Sequence, residues 1–175
     1  MARALDLAAQ GTGFTEPNPR VGAVLVHEGR IIGEGYHHRA GEPHAEIIAL
    51  ANVREADRNL LPESTMYVTL EPCSHTGRTG PCSLALVQSG VRRVVVAHGD
   101  PNPQVAGRGI SQLESAGIYV LVGPGSARAA ELNRAFFHSM VHGRPWITLK
   151  WAEDATGHLD GRRSTDHPGP WPITG

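Results

Sequence analysis

The chain reads as a layered α/β sandwich. Two observations predict this: VGAVLV and IIGEG flank HEGR as the arms of a hairpin, and after them helical and strand patterns alternate through most of the chain. Strands interleaved with helices bury apolar residues on the faces of a sheet, which produces layers. The 175 residues suffice for one domain with its own core, since a domain of ~150 residues buries roughly 70% of its unfolded surface.

Residues 2–10 carry the first helical pattern, ended by Gly11 and Gly13. TEPNPR follows as an extended loop fixed by Pro17 and Pro19, with Asn18 as its pocket-facing candidate. Gly29 takes the hairpin turn. GEPH then leads into AEIIALANV, where Ile47, Ile48, Leu50 and Ala51 form a helical apolar face starting just after Pro43, so His44 lies at a helix N-terminus. TMYVTL (65–70) is a buried strand, EPCSHTGRTGPC a loop, and SLALVQSG a helix closed by Gly90. RRVVVAHGD returns as a strand, followed by GRGISQLESAG as helix and IYVLVG as strand. Ser126 is placed to cap a single helix over ARAAELNRAFFHSMVH, with Leu132, Phe136 and Met140 on one face. A boundary near Gly143 and Pro145 divides a domain over 1–144 from a segment over 145–175. PWITLKWA opens that segment as a new apolar strand, and about thirty residues cannot make a second core.

The formal net charge is −1, with Lys and Arg scattered rather than clustered, so the footprint of a nucleic-acid binder is missing. Asp6 and Gln10 interrupt any signal-peptide core in MARALDLAAQGTG, and no stretch approaches the ~20 apolar residues of a membrane span. A cytoplasmic protein with a small-molecule substrate, and with neither nucleic-acid nor membrane partners, is expected. The two cysteines, Cys73 and Cys82, share one motif that also offers His and Pro, which suits a reduced metal site better than a lone disulfide.

The chemistry concentrates in His44-Ala45-Glu46 at one helix start, with Pro72-Cys73 and Pro81-Cys82 around another. Each part alone is weak; together, in a strand-loop-helix context, they point to zinc. Zinc takes imidazole and thiolate ligands, and a catalytic site keeps its fourth position for water. His44, Cys73 and Cys82 make up the His/Cys/Cys set of nucleobase deaminases, with Glu46 off the metal as proton shuttle. Bound zinc makes hydroxide available near neutral pH. Helix N-termini at His44 and Cys82 favour the anionic forms this chemistry needs. A purely structural zinc would want a fourth protein ligand, and no third cysteine is present.

These residues resemble the cytidine-deaminase-like superfamily and, within it, the deaminase domain of the bifunctional riboflavin-biosynthesis deaminase-reductases. The resemblance covers residues 1–150 and rests on PNPRVGAVLV, GEGYHHRAGEPHAE, YVTLEPCSHTGRTGPC, DPNPQVAGRGI and LNRAFF. Most of the superfamily places two residues between the cysteines, whereas here eight intervene, as in the riboflavin branch. The resemblance implies a three-layer α/β/α sandwich with a central mixed five-stranded sheet, a Zn2+ cofactor and a homodimer or higher homo-oligomer. The implied reaction is hydrolytic deamination of 2,5-diamino-6-(5-phosphoribosylamino)pyrimidin-4(3H)-one. By motif match, Asn18, His37, His75, Arg78, Asp100 and Asn102 are the substrate-contacting set. Amide and carboxylate groups suit the ring edge, and Arg and His the ribose phosphate. The competing readings are that Asp100 and Asn102 are turn formers and that His75 and Arg78 are solvated loop residues; His37 adjoins His38, either of which could face water, and the motif match selects His37.

The loop departs from the family in having Gly80-Pro81 where two prolines are usual, and Arg78 where many relatives have Lys. Family members continue into an NADPH-dependent reductase whose first strand resembles WITLKWA. Only that stub is expected here, and with it no reductase activity. Two other readings compete: a related deaminase acting on another nucleotide or nucleic-acid base, and a non-catalytic zinc-stabilised remnant, which would not require Glu46.

Overall fold

In the computed structural model, which describes residues 1–74, 80–102 and 105–152, the period-two pattern of the hairpin creates the two faces of the sheet. Ala23 and Leu25 of β1 (Gly22–His27) enter the larger core, while Val24 between them packs on the opposite side. β2 (Arg30–Tyr36) and β3 (Thr65–Val68) flank β1, both antiparallel to it. β4 (Arg93–Val96) and β5 (Tyr119–Val122) then continue from β3 in parallel. The result is a mixed five-stranded sheet in the order β2-β1-β3-β4-β5. On one face lie α1 (Ala2–Ala9) and α5 (Ser126–Leu132), and on the other α2 (Ala45–Ala51), α3 (Cys82–Ser89) and α4 (Arg108–Ser115), giving the three layers. Met66, Val68, Leu86, Val94, Val96 and Leu113 are fully buried in the larger core. Among the described residues no helix is long and apolar enough to cross a membrane.

The position of α2 differs from the expected apolar face. Its buried residues are Ala45, Glu46 and Ala49; Ile47, Ile48 and Leu50 are half-buried and Ala51 is exposed. The reason lies in β2. A Cβ at Gly33 would stand 2.4 Å from the Ala49 carbonyl oxygen, and one at Gly35 2.6 Å from Ile48 Cγ2, so two glycines let the helix lie directly on the strand. That contact selects small side chains for the buried stripe and turns Glu46 inward.

Between α2 and β3 the chain forms a 3₁₀ helix over Glu55–Glu63, which has no apolar period to reveal it in sequence. The C-terminal helix expected over 127–142 is broken in two. α5 is capped by Gly125, with Ser126 already its first helical residue, and α6 (Arg134–His142) starts after Asn133. Asn133 is buried; its Oδ1 accepts from the Arg20 N–H at 2.8 Å and its Nδ2 donates to the Arg20 carbonyl at 2.9 Å. This tertiary pair competes successfully with helical continuity and ties the loop of Asn18 to the helices. Asn133→Ala would strand both Arg20 groups, at a cost of about 1–3 kcal/mol. A urea melt should register that loss, and a thermal melt should show Tm lowered by roughly 2–4 °C per kcal/mol.

The strand expected over 145–152 is not formed. Trp146, Ile147, Leu149 and Trp151 are exposed, and the segment pairs with neither edge of the sheet. Apolar periodicity makes a strand only where a neighbouring strand takes up its backbone N–H and C=O groups.

Candidate active site

β3 and β4 are parallel neighbours, so the chain leaves both at the same end of the sheet, where open α/β folds gather their ligands. Beyond β3, Leu70-Glu71-Pro72 leads to Cys73; beyond β4, Ala97-His98-Gly99 leads to Asp100. His44 is the N-cap residue of α2 and Cys82 the first residue of α3. The His44 side chain makes no capping bond to its own helix and turns instead toward the sulfurs. Its Nδ1 lies 3.2 Å from Cys82 Sγ and 3.6 Å from Cys73 Sγ, and the Cys82 backbone N–H donates to Cys73 Sγ at 3.3 Å. Hydroxyl and amide of Ser83 both donate to the Cys73 carbonyl, at 2.9 and 3.1 Å, which pins the cysteine's backbone to α3.

These three ligand atoms lie within 4.8 Å of one another. Zinc–sulfur bonds of ~2.3 Å and zinc–nitrogen bonds of ~2.05 Å at a tetrahedral angle imply an N···S edge of about 3.6 Å, so the donor set fits a tetrahedral zinc. Electrostatics agree. The Cys73 thiol is held far below the ordinary thiol range, first by hydrogen bonding with Cys82 and then by His44 and the Cys82 backbone N–H. Cys82 is pushed the other way, first by its hydrogen bond to Cys73 and next by burial. Two sulfurs this close oppose each other's ionisation, an opposition that a metal cation between them would relieve.

Glu46 is buried on α2, and burial pushes its carboxyl up to about 7 while His44 acts in the opposite direction. It lines a cavity of about 210 Å³ together with His44 and Cys73; Cys82 lies behind the wall, fully buried. The same cavity is lined by Asn18, His37, Asp100 and Asn102, so four of the six expected substrate contacts come together there. His75 and Arg78 lie outside the described residues. Val21, Leu70, Val105 and Phe136 supply apolar wall.

His37 is buried and His38 exposed, which leaves His37 alone of the pair on the cavity. Its Nδ1 is 3.1 Å from the Pro43 carbonyl oxygen and its Nε2 3.3 Å from the Asn18 amide nitrogen. A carbonyl oxygen only accepts, so Nδ1 carries the proton and Nε2 accepts from Asn18. Burial lowers the His37 pKa, in keeping with this neutral tautomer. Asp100 is a turn former as well as a cavity residue, since its Oδ1 accepts the Asn102 N–H at 2.8 Å. Several cavity residues escaped sequence reasoning, Glu71 and Phe136 among them. Phe136 reads as part of a helical apolar face, and Glu71 as a loop carboxylate; no local pattern announces that either reaches the cavity.

A buried carboxylate beside a His/Cys/Cys set at the ends of parallel strands defines the class of the zinc-dependent nucleobase deaminases. The profile for the cytidine and deoxycytidylate deaminase zinc-binding region matches residues 1–98, and the chain belongs to that family. It is 53% identical over 162 residues to the riboflavin biosynthesis protein RibD of Escherichia coli, a match covering 93% of this chain and 42% of that protein. A Thermotoga maritima diaminohydroxyphosphoribosylaminopyrimidine deaminase/5-amino-6-(5-phosphoribosylamino)uracil reductase superposes with a TM-score of 0.83 at 39% identity, over 91% of this chain and 47% of that one. The Aspergillus oryzae Rib2 deaminase in complex with DARIPP gives a TM-score of 0.60 at 27% identity, over 79% of this chain and 90% of that one. The chain thus spans less than half the length of the RibD protein it matches.

Proposed function

We propose that this chain hydrolyses the 2-amino group of 2,5-diamino-6-(5-phosphoribosylamino)pyrimidin-4(3H)-one, releasing ammonia and 5-amino-6-(5-phosphoribosylamino)uracil for riboflavin biosynthesis. The observation that carries the reading is the convergence of His44, Cys73 and Glu46 with Asn18, His37, Asp100 and Asn102 on one cavity, in a chain about half identical to RibD.

His44, Cys73 and Cys82 would hold the zinc, which when bound supplies the Lewis acidity that makes water nucleophilic near neutral pH. Glu46 takes a proton from the attacking water and passes it to the ring nitrogen, then takes the remaining proton from the new C2 hydroxyl and passes it to the departing amine as the C2–N bond breaks. Apolar walls at Val21, Leu70, Val105 and Phe136 exclude bulk water and flank a flat heterocycle. The amide of Asn18 and the carboxylate of Asp100 read the donor and acceptor edge of the ring, with Asn102 beside them and Asn18 oriented by neutral His37. His75 and Arg78 meet the ribose phosphate. Residues 1–144 form the deaminating unit and 145–175 the start of a second one. The protein is cytoplasmic and works as a homodimer or higher homo-oligomer.

Ammonia release from the phosphorylated diaminopyrimidinone, set against cytidine, deoxycytidylate and tRNA adenosine, tests the reading. Turnover of one of the other three in preference would transfer the chain to a different branch of the family. Arg78 provides a finer check. A charge-assisted contact to phosphate contributes roughly 1.5–3 kcal/mol, so Arg78→Ala should lower kcat/KM about ten- to a hundred-fold on the phosphorylated substrate. On the dephosphorylated analogue the same change should matter little; equal losses on both would assign the phosphate to other residues.

A further inference from the structure

We infer that Glu71 is a positioning residue for substrate, acting through the loop that carries Asp100 and Asn102. Glu71 is buried, 4% exposed, and its carboxyl faces both ends of that loop. Oε2 accepts the Asp100 N–H at 3.2 Å and the Gly107 N–H at 3.0 Å; Oε1 accepts the Gly109 N–H at 2.9 Å and the Ile110 N–H at 3.3 Å. The Glu71 backbone N–H in turn donates to the His98 carbonyl at 3.0 Å. The two oxygens of a carboxyl group offer about four lone-pair sites, and here four amide donors are directed at them, which leaves none for a ligand. Glu71 therefore works at one remove, by fixing where Asp100 and Asn102 stand on the cavity wall.

The packing leaves this anchor no slack. A Cβ at Gly109 would stand 1.8 Å from the Pro72 carbonyl oxygen and 3.3 Å from Glu71 Cγ, so the start of α4 is seated against the strand exit that also carries Cys73. One carboxylate thus sets the distance between the metal-ligating segment and the loop facing it across the cavity. Glutamine has the same shape but would turn an NH2 group either toward the amides of Asp100 and Gly107 or toward those of Gly109 and Ile110, loosening the loop directly or the helix start that holds it.

This inference rests on the proposed reading of Asp100 and Asn102 as substrate contacts, and its test separates the two. Purified full-length Glu71→Gln should retain one zinc per chain, with KM for the phosphorylated diaminopyrimidinone raised about ten-fold and kcat within about three-fold of the parent. Combined with Asp100→Ala and Asn102→Ala together, it should add little to the KM that this pair alone produces, because the contacts Glu71 positions are then already gone. Gly107→Ala approaches from the other side. Gly107 is exposed, holds φ +76° and has open space around its missing Cβ, so alanine strains the loop without reaching the core and should also raise KM at full zinc content. Should Glu71→Gln fail to fold, Gly107→Ala with and without the Asp100→Ala and Asn102→Ala pair carries the same comparison. Unchanged KM, a loss confined to kcat with loss of zinc, or effects additive with the Asp100→Ala and Asn102→Ala pair would each overturn the inference while leaving the proposed activity standing. An inactive parent protein would overturn both.

Discussion

Cys82→Ser is expected to yield protein without zinc and without measurable deaminase activity. The three donors come from separate places, the start of α2, the exit of β3 and the start of α3, and the ligand atoms meet within 4.8 Å. A metal at that point is a cross-link among three segments as well as a catalyst. Serine cannot supply an anionic soft ligand at neutral pH, and its hydroxyl would occupy a fully buried site facing the ionised Cys73. Cys73→Ser should behave likewise. Elemental analysis after dialysis is the direct measurement, paired with thermal melts of parent and variant. Tm should fall in the variants, since metal binding that is coupled to folding contributes stability. The parent should also bind zinc less tightly as pH falls: loading displaces the proton that Cys82 retains beside Cys73, so added protons compete with the metal. Full zinc occupancy in either serine variant, or activity that survives exhaustive chelation of the parent, would falsify the assignment.

Glu46→Gln should keep both zinc and fold while kcat drops by about 10²–10⁴-fold or more, the usual weight of a general acid/base. Glu46 is 3% exposed, and burial pushes its carboxyl up to about 7, away from the ordinary carboxylate range and toward a group that can hold a proton as well as accept one. Glutamine is isosteric and fits the same stripe of α2 against β2, so stability and metal content should stay close to the parent. That combination distinguishes a proton shuttle from a buried structural carboxylate. Single-turnover ammonia release, with zinc content measured on the same samples, makes the comparison. A variant turning over at near-parental rate would reduce Glu46 to a packing role.

Much of this protein is written locally. The hairpin, the βα alternation, Gly90 closing α3 and the two helix starts at His44 and Cys82 follow from period, turn chemistry and end signals, which act over a few residues. The His/Cys/Cys-plus-Glu set is legible for the same reason: its residue types are uncommon, and each marks a helix start or strand exit. Other features exist only through distant partners. Asn133 looks like a helical residue until Arg20, over a hundred positions away, takes both its amide atoms. The segment over 145–152 has the apolar residues of a strand, yet no strand pairs with it among the described residues. Glu71 looks like a solvated loop acid because its four amide donors lie 29 to 39 residues further along the chain. Sequence alone therefore determined the layered architecture, the donor set and its chemistry, since these depend on residue type and short-range period. Only the tertiary structure decided which face of α2 is buried, where the last helix breaks and what holds the cavity wall, because backbone hydrogen bonds and close packing are satisfied by whichever groups the fold brings near.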